Sequence, residues 1–145
     1  MIPRRRDTHV VLDTDALSWA LDPREVRRPE ATRQLIGART RVVSFMSVTE
    51  VRFGAIRAGW GGLRLRRLLR SLSDLDVIQT EERLMVRCAE LRAWAVRAGH
   101  AIGQKIHEAD RWVASTAVVL DLELVAGDRI SEDVRGLDVR RIPPV

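Results

Sequence analysis

The chain is predicted to fold as a three-layer α/β sandwich around a central, mostly parallel sheet of about four to five strands. Three observations carry this expectation. Short β-branched runs alternate with stretches of helical periodicity from His9 to Ile142, the pattern of successive β–α–β units. The first run, Val10-Val11-Leu12, shows no polar alternation, as befits a strand covered on both faces. The 145 residues, 46% hydrophobic and 31% charged, suffice for one core and leave little room for a second. Residues 1–145 are therefore read as a single domain.

The elements follow in order. His9 to Asp13 is the first strand, and Ala16 to Leu21 a short helix stopped by Asp22-Pro23. Glu30 to Ala38 is a second helix, with Pro29 near its first turn and Gly37 near its end. Arg41-Val42-Val43-Ser44 is the next strand. From Ser47 to Ala58, Val48, Val51, Ala55 and Ala58 step at helical spacing until Gly59, Gly61 and Gly62 end the run. Leu63 to Leu72 sets leucines at 65, 68, 69 and 72 against Arg64, Arg66, Arg67 and Arg70, an amphipathic basic helix. Asp76-Val77-Ile78 is a third strand. Thr80 is expected to cap a long helix from Glu81 to about Ala98, with Leu84, Cys88, Leu91 and Ala95 on one face. After a loop flanked by Gly99 and Gly103, His107 to Leu120 is helical and Leu122 to Ala126 a strand. Gly127 to Arg135 is a turn with room for one helical turn, and Val139 to Ile142 is the last strand.

Composition narrows the function classes. No apolar run approaches the roughly 18 residues of a membrane span, and Arg4-Arg5-Arg6 is not followed by an apolar leader segment. A soluble, unexported, cytoplasmic protein without a membrane partner is expected, with residues 1–8 a flexible basic N-terminus. The single cysteine, Cys88, excludes an internal disulfide and a cysteine-based zinc site and reads as a buried apolar filler. Net charge is +5, which favours a polyanionic partner. Arginine dominates the basic residues, with Lys105 the one lysine, so a biased codon usage explains the skew equally well. Trp19, Trp94 and Trp112 fall in apolar helical patterns, whereas Trp60 sits in a Gly-rich turn and is expected at the surface.

The acidic residues carry the chemistry. Ligand sites in such sheets form beyond the carboxyl ends of the strands, near the reversal of strand order. Asp13 closes the first strand, Asp128 follows the fourth through Gly127, Asp110 lies in the first turn of the helix leading into the fourth, and Glu50 lies one turn into the helix after the second. Singly, Asp110 and Asp128 are more simply turn formers or helix caps, and Glu50 a solvated helix residue. Asp13 resists that explanation, because an acid ending an apolar central strand is costly without a counter-charge. Four carboxylates converging on one pocket raise one another's pKa and call for a cation. The donors are all oxygen, and His9, His100 and His107 are the only histidines, so the expected ion is Mg²⁺ or Mn²⁺ rather than zinc. Metal-assisted phosphodiester hydrolysis fits these parts.

Three segments resemble a known family. Val11-Leu12-Asp13-Thr14-Asp15-Ala16-Leu17, Ser47-Val48-Thr49-Glu50-Val51-Arg52-Phe53-Gly54-Ala55 and Asp110-Arg111-Trp112-Val113-Ala114-Ser115-Thr116-Ala117 are similar, in order and spacing, to the signature segments of PIN-domain ribonucleases. The likeness runs from Val10 to Ile142 and is nearest in flavour to the VapC-type toxins of bacterial toxin–antitoxin pairs. It implies a metal-dependent endoribonuclease acting on RNA, with Asp13, Glu50, Asp110 and Asp128 at the catalytic, metal-binding acidic positions. It also implies a homodimer and a VapB-like antitoxin partner. Asp15 stands where the family often has Asn, and adds a fifth acid that can act through the metal's waters. The segment 127–133 lacks the family's common Arg-Asp-Phe ending, so Glu132 and Asp133 compete with Asp128 for the fourth position.

Two other readings belong beside this one. Asp13-Thr14-Asp15 also resembles the first motif of haloacid-dehalogenase-like phosphatases, with Ser44, Lys105 and Gly127-Asp128 plus Glu132 or Asp133 as later motifs and Asp13 as a covalent nucleophile. That reading gives Glu50 and Asp110 no role, and Leu17 stands where that family prefers Thr or Val. Alternatively the chain is a non-catalytic module that binds nucleic acid or protein through the arginine helix 63–72.

Overall fold

The computed structural model describes residues 2–22 and 27–144. Pro23, expected to help stop the first helix, lies outside them. Five strands form one sheet: β1 (His9–Leu12), β2 (Thr40–Ser44), β3 (Asp76–Ile78), β4 (Leu124–Ala126) and β5 (Val139–Arg141). Their order is β3-β2-β1-β4-β5 and every pairing is parallel. The helices are α1 (Arg5–Thr8), α2 (Thr14–Leu21), α3 (Arg27–Ile36), α4 (Phe45–Arg57), α5 (Gly62–Ser73), α6 (Glu82–Ala98) and α7 (Glu108–Leu120). Two 3-10 turns, Ala101–Gly103 and Lys105–His107, join α6 to α7.

The apolar run that predicted a doubly covered strand packs as such. Val10 and Leu12 join a core with Ala16, Leu17, Ala20, Ile36, Ala55 and Leu68 from α2 to α5, while Val11 points the other way, to Val113 and Ala117 of α7. Leu91 and Ala95 of α6 complete that side against Ala114. Each fully buried Val or Leu contributes roughly 1.5–3 kcal/mol of apolar transfer, so both faces of the sheet are held firmly. The chain steps outward from β1 to β2 and β3, then returns to the other side of β1 as β4 and β5. Strand order therefore reverses between β1 and β4, and a crevice opens there at the strands' carboxyl ends.

Several boundaries differ from the sequence expectation. Asp13 is not the last residue of β1 but the N-cap of α2, which starts at Thr14. Glu81, not Thr80, stands at the N-cap of α6 and makes no side-chain bond there. β4 begins only at Leu124; Glu123, before it, accepts from the Val11 N–H through its carbonyl at 2.9 Å, and its side chain lies 3.1 Å from Arg39. No helical turn forms between 127 and 135. Within the basic segment 1–8, residues 5–8 make one helical turn, and Arg6 reaches Asp121 at 2.6 Å and Asp138 at 3.3 Å. Trp60 is half-buried rather than exposed, with the Arg64 guanidinium 3.7 Å from its ring centre. Cys88 is buried, as expected of an apolar filler.

Candidate functional site

Asp13 lies at the reversal point itself. Its φ and ψ are extended, so the chain leaves β1 straight and turns into α2, and its Oδ1 accepts from the Ala16 N–H at 2.7 Å. Its Oδ2 accepts from the Gly127 N–H at 2.9 Å, across the crevice from the end of β4. Two backbone donors thus grip one carboxylate, and both favour its charge. They do not suffice: burial pushes the Asp13 carboxyl up to about 7 from 3.8, with smaller contributions from the charges of Asp15 and Asp128. The direction is the one expected from sequence, but mutual repulsion is the smaller cause. Desolvation is the leading cause.

The approach of β4 to α2 is so close that residue 127 has to be glycine. A Cβ there would lie 2.5 Å from the Cβ of Asp15 and 2.9 Å from the Trp19 ring, closer than packed carbons come. Gly127→Ala is accordingly expected to destabilise by about 1–3 kcal/mol through overpacking and to pull the 127 N–H off Asp13. Urea unfolding checks the first effect. A wild-type midpoint would refute it.

Glu50 and Asp110 face the same crevice from α4 and α7. The Thr14 hydroxyl donates to Glu50 Oε1 at 3.1 Å and also lies 3.1 Å from Ser47 Oγ, tying the start of α2 to the first turns of α4. Partial burial raises the Glu50 pKa, Thr14 opposes the rise, and Asp110 and Asp15 add to it. Asp110 is likewise raised, first by burial and then by Asp128, while His107 and Arg111 oppose. His107 Nδ1 is 2.9 Å from Asp110 Oδ2. Arg111, only 3% exposed, binds the carbonyls of Ile102 and Gln104, which fixes the turns that lead into α7.

Asp128 is the exposed member. Its Oδ1 accepts from the Ile130 N–H at 3.0 Å, an Asx turn, and its charge is felt at both Asp13 and Asp110. Glu132 is turned to Arg141, 3.5 Å away, and its carbonyl is held by His100 Nε2 at 2.7 Å. Asp133 is exposed in a left-handed backbone conformation. Among the three candidates for the fourth acid, Asp128 is therefore the one in electrostatic contact with the others. Asp15 acts on both Asp13 and Glu50.

The five acids sense one another, yet among the described residues no three metal-ligating side chains converge tightly enough to hold an ion as they stand. Mg²⁺ and Mn²⁺ keep several waters and take only one or two carboxylates directly. The donors are hard oxygens throughout, and each Asp13 oxygen keeps a lone pair beyond its N–H bond. The residues missed by sequence reasoning are Thr14, Gly127 and His107. The last was signalled only by its place three residues before Asp110. The residues required by the phosphatase reading are used otherwise: Ser44 Oγ caps α4 by accepting from the Met46 N–H at 3.1 Å, and Lys105 is exposed.

A parallel sheet whose reversal point is ringed by carboxylates on four separate segments defines an acid-site α/β domain. Residues 10–137 match the PIN domain, and the chain belongs to the PIN-domain family, a family of nucleases. No curated protein sequence matches this one. Solved structures share the fold. A chain of VapBC2 from Rickettsia felis, bound to a DNA fragment from its promoter, is 19% identical with a TM-score of 0.75, covering 92% of this chain and 98% of that one. A chain of FitAcB from Neisseria gonorrhoeae is 23% identical at 0.73, over 90% and 95%. A chain of DNA-bound VapBC from Salmonella typhimurium is 20% identical at 0.71, over 94% and 99%.

Proposed function

We propose that this protein is a metal-dependent endoribonuclease and the toxin of a toxin–antitoxin pair. The observation that carries the reading is Asp13: a largely desolvated carboxylate with a pKa raised to about 7, at the sheet's reversal point, among further acids, and gripped by two backbone N–H groups. A charge in that position calls for a cation. Asp13 and Asp110 would hold Mg²⁺ or Mn²⁺, Glu50 would orient the attacking water, and Asp128 would complete the pocket through a bridging water, with Asp15 behind it. The chemistry such an ion supplies is activation of water and neutralisation of charge on the scissile phosphate. Thr14 holds the Glu50 carboxylate, and the Gly127 N–H holds that of Asp13, so neither acid has to reorganise as the reaction proceeds.

RNA is favoured as substrate by the +5 charge and by the family resemblance. Unpaired loops expose their phosphates and bases for such a site. The test is incubation of the purified chain with a structured RNA and Mn²⁺ or Mg²⁺, against a chelator control. Cleavage within single-stranded segments, abolished by the chelator, is expected. Intact RNA under both metals would refute the nuclease reading.

A groove beside the crevice is our candidate seat for an antitoxin. A groove of about 1180 Å³ runs between α2, α4 and α5 and borders Glu50; Leu21, Val51, Trp60 and Leu63 supply an apolar floor, and Arg64 and Arg67 a basic wall. An amphipathic helix with acidic flanks fits it, and an arginine from such a partner can enter the acidic crevice. Phe53, Ile56, Met85 and Val86 are exposed apolar residues on α4 and α6, and they support homodimerisation. The product of a neighbouring gene is expected to form a complex with this chain and relieve its growth arrest. Absence of both effects would remove the toxin role and leave the nuclease.

A further inference from the structure

The His107–Asp110 contact differs from those that hold Asp13 and Glu50: it involves an imidazole ring, not a hydroxyl or a backbone amide. His107 occupies the N-cap position of α7, yet its side chain makes no capping bond to the helix. The ring is turned instead to Asp110, Nδ1 to Oδ2 at 2.9 Å, with 29% of the imidazole and 37% of the carboxylate side chain exposed. An ionised carboxylate carries no proton, so the ring nitrogen donates in this contact whatever the charge on the imidazole. The backbone beneath it is fixed as well. The His107 N–H bonds to Gln104 O at 3.0 Å, and the buried Arg111 holds the carbonyls of Ile102 and Gln104 from below.

We propose that His107 is a positioning residue of the candidate metal site, its Nδ1–H fixing the orientation of the Asp110 carboxylate toward the ion. This rests on the reading of the crevice as a Mg²⁺ or Mn²⁺ site. Partners one layer behind a ligand set its direction and basicity, and their loss typically weakens metal binding by about 10–100-fold. Asp110 depends on such a partner more than Asp13 does. Asp13 is held by two backbone N–H groups, whereas the bond to His107 places Asp110 through a single side chain.

The experiment measures Mn²⁺ binding by titration calorimetry and melting without metal, for wild type, His107→Ala, His107→Asn and His107→Gln. The amide N–H of Asn falls near the position of Nδ1, and that of Gln near Nε2. Expected are a dissociation constant for Ala and Gln raised by about 10-fold or more, Asn within about threefold of wild type, and little change in metal-free melting. Ala binding Mn²⁺ like wild type, while Asp110→Asn does not, would overturn this inference and spare the metal site. Asn failing as badly as Ala would also overturn it. Should Ala melt low, Asn against Gln still decides, since they differ by one methylene in where the N–H lies. A wild-type protein that binds no Mn²⁺ would overturn the metal reading, and this inference with it.

Discussion

Asp13→Asn is expected to lower RNA hydrolysis by at least about 1000-fold, because several kcal/mol of transition-state stabilisation depend on a bound ion and each 1.36 kcal/mol is tenfold. The metal-free melting temperature should hold or rise by a few degrees, because two opposed effects cancel only in part. The substitution removes a charge whose burial raises the pKa from 3.8 to about 7, a liability on the order of 4 kcal/mol at neutral pH. It also takes an acceptor from one of the two N–H groups, of Ala16 and Gly127, that the carboxylate grips. An amide nitrogen facing an N–H costs about 1–3 kcal/mol. Asp13→Ala orphans both donors and uncaps α2, so it should melt below the Asn variant. Cleavage assays with Mn²⁺ and thermal melts of the three proteins test this. Nuclease activity retained in Asp13→Asn would exclude Asp13 from the chemistry.

That balance also shows what was legible in the sequence. The strand β1 and its double burial were written in Val10-Val11-Leu12, because an apolar run without alternation has few other uses. The same local logic placed Asp13, Glu50, Asp110 and Asp128 at one edge of the sheet. Their supports were not legible. Thr14 meets Glu50 from 36 residues away and Gly127 meets Asp13 from 114, and no local pattern encodes such pairings. The preference for Asp128 over Glu132 and Asp133 rests on its charge reaching Asp13 and Asp110, and on Glu132 being turned to Arg141, again relations across the fold. Helix starts were misplaced by one to three residues because a cap is defined by backbone angles, and Asp serves a strand end and an N-cap equally well in sequence. Arg6 gave no hint of its reach to Asp121, since a basic N-terminal run reads as solvated until its partners are placed.

Stability of the metal-free protein is expected to rise as pH falls from about 7 toward about 4. The sign follows from linkage: a carboxyl with a raised folded-state pKa binds its proton more tightly in the folded than in the unfolded chain, so acid favours folding. Asp13's contribution is fully present below its unfolded value of 3.8 and is lost as pH rises through about 7; Glu50 and Asp110, also raised, add in the same direction. The trend reverses in stronger acid, where carboxylates with native ion-pair partners lose those partners on protonation. Mn²⁺ should act oppositely. At about 100 times its dissociation constant it stabilises by about 2.7 kcal/mol, worth roughly 5–10 °C in a chain of this size. The gain should fade below about pH 6, because protons and metal compete for the same oxygens. Melting temperature across this range, with and without Mn²⁺, for wild type and Asp110→Asn separates the two effects. The metal-free slope should survive in Asp110→Asn, since Asp13 carries most of it, whereas the metal-induced shift should collapse. A flat metal-free profile in wild type would mean that Asp13 is not strained by burial. An equal metal shift in both proteins at neutral pH would remove Asp110 from the ligands.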